Sequence, residues 1–99
     1  MLLADVVQAS AAVAATRART VKVAELAPVL AAAAAEGPHT LAIVTSYLGG
    51  SLLQRRTGLG WRSLGDLPAP AAEASLTVEE VDAAFAAIGE LAEIGRAHV

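Results

Sequence analysis

Alanine, leucine and valine recur at helical spacing along most of this 99-residue chain, and this pattern constrains the fold more than any other feature. About a quarter of the residues are alanine, the strongest helix former. Apolar residues at intervals of three and four predict a first helix that ends near Thr16. A second predicted helix begins near Thr20 and ends at Gly37-Pro38, and Pro28 is expected to kink it or restart it. We therefore predict an all-α domain of about four to five helices.

The second half of the chain contains one ambiguous segment and one strong helix start. Residues 40–48 fit both a strand and a helical stripe, and the helical neighbours favour a helix that ends at Gly49-Gly50. Residues 68–75 have the composition of an extended, proline-stiffened linker. Thr77 followed by Glu80 forms a capping box, which predicts the start of the last helix.

The charge is divided unevenly along the chain, although the formal net charge is −3. Residues 1–62 carry six cations against three carboxylates, whereas residues 63–99 carry one cation against seven carboxylates. The acidic balance of the whole argues against a general nucleic-acid binder. Phosphate binding depends on the local potential, however, and the first part of the chain can still present a positive face.

Several classes of protein are disfavoured by what the sequence lacks. It contains no cysteine, which excludes disulfides and thiolate metal sites. No apolar run approaches the ~20 residues that span a bilayer, and residues 1–15 lack the basic start of a signal peptide. Its two histidines are far apart, and no metal-binding or nucleotide-binding motif is present. We expect a cytoplasmic, monomeric protein with no membrane partner and no active site within these residues.

Chemistry is concentrated in residues 47–61, which hold the only tryptophan and tyrosine and four of the eight glycines. The guanidinium groups of arginine can donate paired hydrogen bonds to phosphate oxygens, and a threonine adds a hydroxyl. Glycines let the backbone approach a sugar-phosphate chain closely, so this segment is a candidate phosphate-binding loop. The alternative is a solvated loop whose glycines satisfy turn geometry and whose Trp61 is anchored in the core. One or two further helical turns are expected over residues 61–67.

A second basic cluster, Arg17, Arg19 and Lys22, lies at the junction of the first two predicted helices. Two basic clusters on a helical scaffold can hold a duplex by charge and shape without contacting base edges. The alternative is that the two arginines only complement the dipole at the end of the first helix. The predicted phosphate-contacting residues are Arg17, Arg19, Lys22, Arg55, Arg56, Thr57, Gly58, Gly60 and Arg62.

Three blocks of the sequence resemble the start of bacterial, especially actinobacterial, ATP-dependent DNA ligases. The first comprises residues 2–7 (LLADVV), 13–19 (VAATRAR) and 22–27 (KVAELA), the second residues 47–61 (YLGGSLLQRRTGLGW), and the third residues 76–82 (LTVEEVD). The likeness covers roughly residues 2–92. The sequence departs from the family pattern at Ala18, where a serine is expected, and at Pro28.

This resemblance implies an all-helical, N-terminal DNA-binding domain that grips nicked duplex DNA on its minor-groove side, mostly through backbone contacts. Nucleotidyltransferase and OB-fold domains would then close around the nick and seal it, as DNA replication, repair and recombination require, in the cytoplasm at the nucleoid. The family's reaction needs ATP and Mg²⁺ and adenylates a lysine in a Lys-x-Asp-Gly motif. The only lysine here is Lys22, followed by Val-Ala-Glu. The resemblance therefore implies a non-catalytic fragment of an enzyme, without a cofactor of its own.

The end of the chain suggests where the fragment stops. Residues 93–99 (EIGRAHV) match the conceptual translation of a common sequencing adapter. We expect residues 1–92 to be the N-terminal part of the ligase DNA-binding domain and residues 93–99 to be an artefactual tail. The alternative function is a small helical protein-interaction module, in which Val81, Phe85 and Ile88 contact a partner helix.

Overall fold

The structure, a computed structural model, describes residues 1–55, 57–60 and 65–97. Its described part contains four helices: α1 (Leu3–Ala14), α2 (Arg19–Glu36), α3 (Pro38–Leu48) and α4 (Val78–Ala97). The prediction of an all-α fold is confirmed. None of these four helices combines the length and apolarity needed to cross a membrane.

Helix α2 runs through Pro28 as a single element. Proline removes one intrahelical hydrogen bond, because it has no N–H to donate to the carbonyl of Ala24. Pro28 is exposed, whereas Val29 and Ala33 are buried. Water can therefore solvate the side of the helix on which the bond is lost. The expected restart at Pro28 is wrong, while the expected kink stays a prediction.

Helix α3 resolves the ambiguous segment, and the prediction of a helix there is confirmed. Thr40, Ile43 and Val44 are buried together, and this spacing of three and four places them on one helical face. Pro38 occupies the first helical turn, where its missing N–H costs nothing. At the other end Gly50 adopts a φ of +83°, and its amide donates to the carbonyl of Tyr47.

The core is thin and lies where the helices meet. Helix α2 packs against both α1 and α3, and α4 packs against α3. Two of the buried positions are alanines, which lets the helix backbones approach closely. The buried apolar residues are Val6, Ala9, Val29, Ala33, Ile43, Val44 and Val78.

The first residues of the chain pair with the segment that precedes α4, and we call this contact the N-terminal junction. The amide of Leu3 donates to the carbonyl of Leu76 at 2.9 Å, and the amide of Val78 donates to the carbonyl of Met1 at 2.9 Å. Leu2 and Thr77 thereby form an isolated antiparallel bridge. The junction brings the start of α4 beside the start of α1.

Two carboxylates complete the N-terminal junction. The amino group of Met1 donates to Oε1 of Glu36 at 2.6 Å and lies 3.7 Å from Oε2 of Glu79. The hydroxyl of Thr40 donates to Oε1 of Glu79 at 2.7 Å. The bond that the Met1 amino group donates to Glu36 raises the pKa of that amino group, and the bond that Thr40 donates lowers the pKa of the Glu79 carboxyl. Residues at one end of each helix therefore meet here.

The predicted N-cap at Thr77 is confirmed, and the Glu80 side chain of the predicted capping box bonds to the Thr77 hydroxyl. The amide of Glu80 donates to Oγ1 of Thr77 at 3.2 Å. The Glu80 carboxylate accepts a bond from the same hydroxyl at 3.0 Å. Glu79 and Glu80 lie in the first turn, where negative charge complements the helix dipole. Helix α4 continues past residue 92, so the domain boundary there and the origin of residues 93–99 stay predictions.

Thr40→Val tests the junction, because it removes the hydroxyl that holds Glu79 and keeps the shape of the side chain. Thr40 is buried, so we expect the free energy of unfolding to fall by about 1–2 kcal/mol in urea denaturation. Thr45→Val is the matched control, since Thr45 is exposed on the same helix. Equal losses in the two variants would contradict the role given to Thr40.

The lowered pKa of Glu79 predicts how this stabilisation depends on pH. A carboxyl whose pKa is lowered by folding stabilises the protein above its ordinary value of 4.5, and the effect is lost as the pH falls through the folded pKa. At neutral pH, Glu79→Gln should therefore melt at a lower temperature than the parent chain. The difference should shrink progressively below pH 4.5. Glu90→Gln, at an exposed position of α4, should show no such trend.

Candidate nucleic-acid interface

The first basic cluster lies at the start of α2. Arg17 is exposed in the connection after α1, Arg19 is the first residue of α2, and Lys22 is half-buried one turn later. The last turn of α1 contains no basic residue. Arg19 and Lys22 instead lie at the positive end of the next helix. Complementing the dipole of α1 does not explain this cluster.

The N-terminus of α2 has the features of an anion-binding helix end. Its N-cap residue, Ala18, provides no side-chain cap, and its first turn contains no acidic residue. The first intrahelical bond runs from the amide of Lys22 to the carbonyl of Ala18 at 3.0 Å. The amides of residues 19–21 precede that bond and have no carbonyl partner within the helix. Phosphate groups bind such amides, and the neighbouring cations add to the attraction.

The loop after α3 is attached to α4 by Gln54, which sequence analysis missed. Its Nε2 donates to Oδ1 of Asp82 at 2.8 Å and to the Asp82 carbonyl at 3.3 Å. Asp82 is only 7% exposed, and Nε2 of His39 lies 3.6 Å from its Oδ2. Burial, together with the nearby Asp82 charge, raises the pKa of Tyr47. Gln54 and Asp82 are 28 residues apart, so no local pattern indicates their contact.

Arg55 follows this anchor in an unusual backbone conformation. Its φ of +58° lies in the left-handed region, which few residues other than glycine adopt. The Arg55 amide donates to the carbonyl of Leu52 at 3.2 Å and closes a turn. Its side chain is exposed. Two of the predicted phosphate contacts, Arg56 and Arg62, lie outside the described residues, and so does Trp61. Helical turns are predicted over residues 61–67, and the described residues 65–67 of that range are not helical.

The remaining predicted contacts are Thr57, Gly58 and Gly60. Thr57 is half-buried, and its Oγ1 accepts a bond from the amide of Leu59 at 3.3 Å. Gly58 has a φ of +78°, and a Cβ there would lie 2.9 Å from Cβ of Ala92. Turn geometry and packing on α4 therefore explain Gly58 without a ligand. Gly60 is exposed and has open space for a Cβ, so packing does not explain it.

Helix α1 ends just before Arg17, and its side lies beside the loop that carries Arg55. Together with the loop and α4 it lines an open groove of about 1060 Å³, which we call the α1 groove. Its lining includes both Ala14, the last residue of α1, and Arg55. Within the described part of the chain, no carboxylate forms a salt bridge with Arg17, Arg19, Lys22 or Arg55. These four positive charges are therefore available to an external anion.

Gly58→Ala tests how the loop is held on α4. Alanine is disfavoured at positive φ, and its methyl group would crowd Ala92, so we expect a loss of about 1–3 kcal/mol in unfolding free energy. Gly60→Ala is the matched control, since a Cβ at residue 60 meets open space. Urea denaturation of both variants gives the comparison. Similar stabilities of the two variants would show that the loop does not pack on Ala92.

Comparison with known proteins places this chain beside DNA ligases. A protein of Kineococcus radiotolerans named Probable DNA ligase is 58% identical over 97 residues, which is 98% of this chain and 19% of that protein. A protein of the same name from Beutenbergia cavernae is 55% identical over 98% of this chain and 18% of its own length. Another, from Mycolicibacterium vanbaalenii, is 53% identical over 90% of this chain and 17% of its own length. No family model matches, and no solved structure matches.

The chain spans about a fifth of the length of these curated relatives. The resemblance to DNA ligases that its sequence blocks indicate is confirmed. Over nearly its whole length, this chain is similar to a segment of proteins named DNA ligase.

Proposed function

We propose that this chain is a DNA-binding part of an ATP-dependent DNA ligase and that it contacts the backbone phosphates of nicked duplex DNA. One observation carries the proposal: among the described residues, none of the cations Arg17, Arg19, Lys22 and Arg55 forms a salt bridge with a carboxylate. The similarity to proteins named DNA ligase identifies DNA as the polyanion that these cations would meet. In this proposal the chain acts as a monomer.

The proposed contacts use charge and backbone geometry. Arg17 and Arg19 would bind phosphate oxygens beside the free amides of α2, where the helix dipole adds to their attraction. Arg55 would bind a second phosphate from the turn that Gln54 holds on α4. Contacts of this kind position a protein on a duplex without distinguishing sequences. Such binding suits an enzyme that must seal nicks in any sequence context during replication, repair or recombination.

We propose that ATP and Mg²⁺, which the resemblance implies for the longer ligase, are held by other parts of that protein. Lys22 is the only lysine and is half-buried in the first turn of α2, and the residues after it depart from the adenylation motif. In the described part of the chain, no three histidine or carboxylate side chains converge as a metal site would require. In this proposal the role of this chain is limited to holding DNA.

Titration of the chain with a labelled nicked duplex at several salt concentrations tests the proposal. Each phosphate contact should contribute roughly −0.9 to the slope of log K against log salt, so the four described cations predict a slope of about −3 to −4. A protein-interaction module that uses Val81, Phe85 and Ile88 would not produce this dependence. A slope near zero, or no binding at low salt, would contradict phosphate binding.

Arg55 offers a matched pair of variants for the same titration. Arg55→Asn removes the charge and tolerates the left-handed backbone, whereas Arg55→Lys keeps the charge. We expect the Asn variant to bind more weakly on duplexes of every sequence and to lower the steepness of the salt slope by about 0.9. The Lys variant should keep the parent slope. An unchanged slope in the Asn variant would remove Arg55 from the interface.

A further inference from the structure

The α1 groove has mainly apolar walls that the described helices leave uncovered. Leu3, Val7 and Ala11 lie four residues apart along one face of α1, and Val81 and Phe85 of α4 line the same groove. A second cavity of about 600 Å³ opens between the same three residues of α1 and the segment 71–76. Val7 borders both cavities and is 58% exposed. An apolar stripe of α1 therefore faces solvent on both sides.

The chemistry of the groove indicates what kind of group it accepts. Arg55 is the only charged residue among the described residues that line it, and the neighbouring polar residues are serines and Tyr47. The Tyr47 hydroxyl is enclosed without a hydrogen-bond partner among the described residues. A nucleic acid would place phosphates against these apolar walls. The groove instead suits an apolar polypeptide segment.

The shape of the groove favours a helix as the occupant. Leu3 and Ala11 are eight positions apart on α1, which corresponds to about 12 Å of helix. Side chains four residues apart form the ridge that a second helix packs against. An exposed ridge of this kind, bordered by apolar residues of α4, has the form of one half of a helix–helix contact.

The relatives indicate where this helix comes from. The matched segment is about a fifth of each relative, so roughly four fifths of those polypeptides lie outside it. We propose that the α1 groove is the docking site for an apolar helix of the longer ligase polypeptide, supplied from outside the segment that this chain matches. This inference depends on the similarity to DNA ligases and not on phosphate binding. The salt titration of the isolated chain therefore tests a separate claim.

Cysteine labelling can measure directly whether the groove is covered. The chain contains no cysteine, and Val7 and Val23 are equally exposed at 58% and 59% on α1 and α2. Val7→Cys places a thiol in the groove, and Val23→Cys is the matched control, because Val23 does not line the groove. Each variant is labelled with a thiol reagent as the 99-residue chain and as a chimera. In the chimera, this chain replaces the matched segment of the Kineococcus radiotolerans protein.

We expect the groove cysteine of Val7→Cys to be labelled about tenfold or more slowly in the chimera than in the isolated chain, because packing against a helix protects a side chain until it opens. The rate at residue 23 should stay the same within about twofold. Mass spectrometry of the labelled peptides reports each site separately. The same two substitutions at the aligned positions of the Kineococcus protein give the comparison in an unaltered polypeptide.

Four results would overturn the proposal. Equal labelling of the groove cysteine in the chimera and the isolated chain would show that no segment covers the groove. Protection in the isolated chain that grows with protein concentration would assign the groove to a second copy. Protection there at every concentration would assign it to a segment of this chain. Equal slowing at residues 7 and 23 in the chimera would indicate general shielding and would also contradict docking at α1.

Discussion

The short antiparallel pairing at the N-terminal junction determines how α4 sits on the other helices. About thirty residues separate α3 from α4, and the described residues among them contain no helix. Two backbone bonds of 2.9 Å between residues 1–3 and 76–78 fix the start of α4 beside α1. Val78, fully buried in the core, adds apolar packing at the same point. The α1 groove and the Gln54–Asp82 contact both depend on this placement, because each has α4 as one wall.

The position of α4 also explains how the backbone of a loop residue, Arg55, is held in place. The loop contacts α4 at Asp82 through Gln54 and at Ala92 through Gly58, and Arg55 lies between these two points. A left-handed arginine costs conformational energy and persists only where neighbouring contacts hold the backbone. The two attachments supply those contacts. Loop residues on a rigid scaffold can bind a ligand with little loss of conformational freedom.

The features that were predicted correctly from the sequence are formed by neighbouring residues, whereas the features that were missed join residues far apart in the chain. The capping box at Thr77 and the Gly-Pro boundary after α2 involve neighbouring residues, so their structure follows from short-range physics. The continuity of α2 at Pro28 depends on which side of the helix faces solvent, and tertiary packing decides that. The Leu2–Thr77 bridge and the Gln54–Asp82 bond join residues far apart in sequence, and no periodic pattern indicates them. For the same reason the cations could be named, but the groove that α1 forms beside Arg55 could not.

The negative net charge of the chain is compatible with a local positive surface, because several carboxylates already have partners within the chain. Glu36 and Glu79 face the Met1 amino group, and Asp82 accepts bonds from Gln54. These acids are concentrated at the N-terminal junction and on α4, whereas the first turn of α2 contains none. Charges more than a Debye length of about 10 Å apart are largely screened in solution, so local composition decides where an anion binds. Helix α1 contributes to two different surfaces. Its side lines the apolar α1 groove, and its end leads into Arg17 of the first basic cluster. Apolar packing on α1 would therefore restrain the element that positions the first basic cluster, and polypeptide contact and phosphate contact would reinforce each other.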